Sequence, residues 1–101
     1  MLIYNITIKI DNDIESEWVT WQKVVYIPGV MASGFFYDNR FSKLISHEDT
    51  DGKTYVMQFY AKNKDAFENF KAQHADEFSD LLVAKWGNKF VAFESLLAAV
   101  Q

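Results

Sequence analysis

Few residues in this chain have side chains that could do chemistry. His74 is the most suggestive: it stands four residues after Phe70 and seven after Phe67, on the apolar stripe of a helix-period segment. An imidazole placed among aromatic rings can act as an acid/base or as an axial haem ligand. The plainer alternative is a half-buried histidine bonded to a neighbour. Trp18 and Trp21 are a second aromatic group at helical spacing, suited either to lining a cleft or to filling a core. Together with Phe70 they would surround His74 in one small-ligand pocket, and these four are the candidate ligand-binding residues.

Other chemistries find little to work with. There is no cysteine, so disulfides, thiolate metal sites and cysteine nucleophiles are excluded. The second histidine, His47, lies far from His74 beside the acidic run Glu48-Asp49-Thr50-Asp51. Two separated histidines do not make a dedicated transition-metal site, and metal at His47 would be adventitious. Asp11-Asn12-Asp13 begins like a calcium loop, but Ser16 stands where that loop needs glycine. No glycine-rich phosphate loop, serine elbow or paired-carboxylate arrangement is recognisable. No catalytic residue, metal or cofactor is therefore assigned. Ten basic and fourteen acidic residues give a net charge of −4, which disfavours a nucleic-acid partner because a polyanion needs a concentrated basic face.

The elements that must position these residues follow from periodicity. Leu2 to Ile10 alternates, with Tyr4, Ile6, Ile8 and Ile10 on one face and Ile3, Asn5, Thr7 and Lys9 on the other, as in a strand with one strongly apolar side. Asp11-Asn12-Asp13 ends it and is expected to cap a helix, in which Ile14, Trp18, Trp21 and Val25 recur at helical spacing. Ile27-Pro28-Gly29 is expected to end that helix, with a short turn through Ala32 closed by Ser33-Gly34. Phe35 to Ile45 and Lys53 to Ala61 read as strands joined by a polar hairpin turn with Asp51-Gly52 as its signal. A second helix starts at Asn63, carries Phe67, Phe70, His74, Phe78, Leu81 and Leu82 on one stripe, and closes at Trp86-Gly87-Asn88. Lys89 to Leu97 is the last strand. The order β-α-β-β-α-β, in one domain over residues 1–101, predicts an α+β ferredoxin-like plait: a four-stranded antiparallel sheet with both helices on one face.

Ile3-Tyr4-Asn5, the Trp18/Trp21 helix, Ile27-Pro28-Gly29-Val30 through Gly34-Phe35, and Phe90-Val91-Ala92-Phe93 together resemble a family of small bacterial proteins known only as a domain of unknown function. That family is similar to the dimeric α+β barrel proteins, whose plaits pack sheet against sheet. Some of those relatives are cofactor-free monooxygenases or haem-degrading enzymes, and others have no known activity. The haem-degrading branch implies an Asn on the first strand, a Trp on the second helix and a later His on that helix. Here Asn5 meets the first, Phe70 stands at the second, and the segment around Asp80 offers no histidine. Haem degradation is therefore not expected.

With both helices on one face, the other would carry Ile3, Asn5, Thr7 and Lys9 beside Thr54, Val56, Gln58 and Tyr60. Its mixed apolar and polar character suits a second sheet, so a homodimer through the sheet face is expected. The N-terminal residues lack the basic start and apolar run of a signal peptide, and no stretch reaches membrane-spanning length. The expected protein is thus cytoplasmic, self-associating and without a membrane or nucleic-acid partner, holding a small apolar or aromatic ligand between helices and sheet. The alternative is a cofactor-independent monooxygenase or isomerase. An RNA-binding plait ranks below both, since Arg40 is the sole arginine and Tyr4 and Phe59 are needed in the core.

Overall fold

A computed structural model describes residues 1–46 and 50–101. The elements are β1 (Leu2–Ile10), α1 (Glu15–Trp21), a π turn (Gln22–Tyr26), α2 (Ile27–Ala32), β2 (Asp38–Lys43), β3 (Lys53–Ala61), α3 (Lys64–Trp86) and β4 (Phe90–Ala98). The strands form one antiparallel sheet in the order β2-β3-β1-β4. This is the ferredoxin-like α+β plait. Among the described residues no helix is long and apolar enough to cross a membrane. His47, Glu48 and Asp49 lie outside the described residues, and with them the metal reading of His47 and the middle of the β2–β3 connection.

The alternation in β1 has the expected consequence. Tyr4, Ile6, Ile8 and Ile10 are buried beneath the helices and are joined there by Tyr55, Met57, Phe59 and Ala61 of β3. Trp18 of α1 packs on Phe41 and Tyr55 with ring centroids 5.8 and 5.1 Å apart, which fixes the first helix over the β2–β3 half of the sheet. Helix α3 packs on β1 and β3. Its Phe70 sits against Tyr4 and Phe36, with centroids 5.8 and 4.8 Å away. Asn63 caps α3 by accepting from the Ala66 amide at 2.9 Å. Gly87, at φ 59°, ends it in a conformation that a side chain would strain.

Several local expectations need correction. Pro28 does not end the first helix, which continues to Ala32. The π turn before it shifts the ladder by one residue, the Ile27 amide reaching back to the Gln22 carbonyl. That shift buries Gln22 and Tyr26 and leaves Val25 40% exposed on the outside. Asp11 makes no side-chain cap; Asp11 and Asp13 face Lys89 instead, at 3.9 and 3.2 Å. Strand β2 is shorter than expected because Phe36 turns under α3 into the core, so pairing starts only where the Tyr37 amide meets the Tyr60 carbonyl. Asp51-Gly52 lies in the connection between the antiparallel strands β2 and β3, immediately before β3, and a Cβ on Gly52 would come within 2.7 Å of the Ile10 carbonyl oxygen, a close approach that calls for glycine.

Candidate functional site

The helices leave one part of the sheet uncovered on their own side. From Val91 to Ala98 every residue of the edge strand β4 is exposed. Alternation turns Phe90, Ala92, Glu94 and Leu96 toward the helical side, opposite Ile10, Ile8, Ile6 and Tyr4 in register. Ala92 is small, and α3 lies over β1 instead of β4, so a cleft of about 410 Å³ opens between them. Phe70, Phe78 and Leu82 of α3 wall one side, and Ile6, Phe90 and Ala92 supply much of the floor.

Four polar side chains, Tyr4, Tyr26, Ser79 and Glu94, stand among the apolar ones. The Tyr4 hydroxyl donates to Glu94 Oε1 at 2.6 Å. Lys71, one turn along α3 from Phe67, donates to Glu94 Oε2 at 2.9 Å. Lys71 does not line the cleft; it borders an adjoining recess of about 210 Å³ that shares Tyr4 and Glu94. Tyr26, brought inward by the π turn, is 3% exposed and lines the cleft. Among the described residues its hydroxyl has no hydrogen-bond partner. Burial pushes the Tyr4 phenol well above its ordinary range, helped by its hydrogen bond to Glu94. Burial does the same to Tyr26, with the Glu94 charge adding to it. Both phenols thus stay protonated at neutral pH; Tyr4 gives its proton to Glu94, and Tyr26 keeps its own for another acceptor.

The four residues picked from sequence do not converge. Phe70 forms part of the cleft wall. His74 lies next to it but outside the cleft, among Phe35, Phe70 and Phe78 with centroids 5.9–6.1 Å away, its Nδ1 3.2 Å from Glu77 Oε2. Trp18 is wholly enclosed in the core. Trp21 borders a separate shallow groove with Val24, Val25, Lys85 and Trp86. Among the described residues no three His, Asp or Glu side chains come together to hold a metal ion. The polar residues of the cleft were missed for different reasons. Tyr4 reads as core, and Tyr26 is displaced from the helical stripe by the π turn. Glu94 left a usable signal: a carboxylate on the helix-facing side of Phe90, Ala92 and Leu96, where the pattern calls for an apolar residue.

The opposite face of the sheet is bare and carries a hydrogen-bonded row. Tyr60 donates to Gln58 at 3.3 Å, Gln58 to Asn5 at 3.1 Å, and Asn5 to Thr7 and Ser95 at 3.2 and 3.4 Å. Asn5, the residue compared with haem-degrading relatives, therefore points away from the cleft. Around this row stand Val91 and Phe93, 71% and 64% exposed.

The plait places the chain in a well-populated structural class. A ferredoxin-like protein, described as dimeric, from an uncultured marine organism superposes with a TM-score of 0.71 at 16% identity, covering 99% of this chain and 95% of that one. An ethyl tert-butyl ether D family protein from Bacillus halodurans gives 0.65 at 6% identity, covering 94% and 97%. SnoaB, a cofactor-independent oxygenase from Streptomyces nogalater, gives 0.57 at 13% identity, covering 99% and 94%. At these identities the likeness is one of fold. No curated protein matches the sequence. The chain belongs to the family described as Domain of unknown function (DUF4286), matched over residues 1–100.

Proposed function

We propose that this protein is a self-associating small-molecule-binding domain in which two copies pair through the bare sheet face and each holds a small apolar ring ligand in its own cleft. The observation that carries this reading is the cleft itself. It has the size of a small-ligand site and sets apolar side chains beside the polar groups of Tyr4, Tyr26, Ser79 and Glu94, which can fix and orient a ligand. The bare face supports pairing because it combines exposed Val91 and Phe93 with an ordered polar row, the mixture that interfaces use.

A cofactor-independent oxygenase or isomerase is the second reading, favoured by a carboxylate within an apolar cleft and by the kind of activity named for SnoaB. Binding without turnover takes precedence because both Glu94 oxygens already accept hydrogen bonds from the chain's own donors, an arrangement that holds a group in place.

Titration with the neutral naphthalene dye prodan tests the cleft. One site per chain is expected, lost when Ala92→Phe fills the floor while the oligomeric state persists. No dye binding to the wild type, or equal binding to both proteins, overturns the proposal.

A further inference from the structure

We propose that the cleft selects an uncharged ring ligand bearing a hydroxyl group, which donates to Glu94 and accepts from Tyr26, and that it rejects the corresponding carboxylate. This rests on the binding reading above and goes beyond it by naming the ligand class.

The charge distribution carries the inference. Among the described residues Glu94 is the single formally charged one lining the cleft. Its paired cation, Lys71, approaches from the adjoining recess and is not part of the lining. An anionic ligand would therefore meet the half-exposed Glu94 carboxylate and find no cation in the lining among the described residues, a repulsion that solvent and the Lys71 pair screen in part. The hydrogen-bond inventory points the same way. A carboxylate offers about four acceptor positions, and Tyr4 and Lys71 occupy two of those on Glu94. Tyr26 adds a hydroxyl with no protein partner among the described residues, opening on the cleft within the field of Glu94. A ligand that displaces water from this hydroxyl and replaces its hydrogen bond gains selectivity over one that leaves it unmatched. A hydroxyl can donate and accept at once. A hydrocarbon can do neither, and a carboxylate has no proton to give.

Three ligands of one ring system test this in the full-length protein: 2-naphthol, 2-naphthoate and naphthalene, titrated at neutral pH by fluorescence. The expected result is 2-naphthol bound at least about tenfold more tightly than either of the others, the scale on which a like-charge contact discriminates. Glu94→Gln is expected to collapse the naphthol-to-naphthoate ratio. Tyr26→Phe is expected to weaken naphthol while leaving naphthalene unchanged; it keeps the ring that packs on Phe78 and so preserves the fold. Naphthoate binding as tightly as naphthol, or a ratio unmoved in Glu94→Gln, overturns the ligand class and leaves the cleft reading standing. Failure of all three compounds and of prodan overturns both.

Discussion

Tyr55 shows how one side chain links two elements. Its hydroxyl donates to Glu15 Oε2 at 2.7 Å, and Lys43 reaches the same oxygen at 2.8 Å, so α1 is tied to the β2–β3 end of the sheet. Burial, with the Glu15 hydrogen bond behind it, pushes the Tyr55 phenol up to about 12. The Lys43 and Tyr55 hydrogen bonds hold the Glu15 carboxyl below the usual range. A phenol raised above its unfolded value of about 10 stabilises the fold fully below that pH and loses the contribution as the pH climbs through the folded value. Tyr4 and Tyr26 shift in the same direction. Urea denaturation between pH 9 and 12, roughly spanning those values, is therefore expected to show stability falling steeply, and falling less steeply in Tyr55→Phe. Parallel curves for the two proteins would contradict this account. The partnership itself was not legible in the sequence, because Glu15, Lys43 and Tyr55 are separated by 28 and 40 residues and meet only once the sheet forms.

At the scale of elements, alternation decided most of what could be read. β1 and β3 follow a period of two, broken only by Asn5, which is buried on the opposite face of β1, and their helix-covered faces are the ones the pattern requires. The first helix departs from its pattern because the π turn inserts one residue per turn locally, which no count of apolar spacing contains. The result is a buried Gln22, 0% exposed, whose amide oxygen and nitrogen both lack partners among the described residues. An enclosed polar group without partners costs about 1–3 kcal/mol. Gln22→Met, which keeps the length of the side chain, is therefore expected to raise the unfolding free energy by roughly 1 kcal/mol or more, measured by urea denaturation. A loss of stability would mean that the Gln22 amide contributes an interaction beyond packing. The same turn delivers Tyr26 to the cleft, so the element that hid the site from the sequence also builds part of it.

For the whole molecule, β4 is the strand on which ligand and partner would act from opposite sides. Glu94 and Leu96 face the cleft side, whereas Val91, Phe93 and Ser95 face the bare side in register with Lys9, Thr7 and Asn5. One edge of β4 is hydrogen-bonded to β1, and its residues 91–98 are exposed in the isolated chain. Apolar side chains as exposed as Phe93 gain most from a second surface, and the ordered Asn5–Gln58 row beside it supplies directional contacts. Phe93→Asp places a charge at that position without touching the helix-covered core, and it is expected to convert a dimer to a folded monomer in sedimentation at micromolar concentration. Leu96→Asp, on the same strand but the other face, is expected to remain dimeric. The pair separates an interface effect from a general weakening of β4, since both substitutions add the same charge to the same strand. A monomeric wild type, or a Phe93→Asp protein that stays dimeric, would remove the sheet face as the site of pairing.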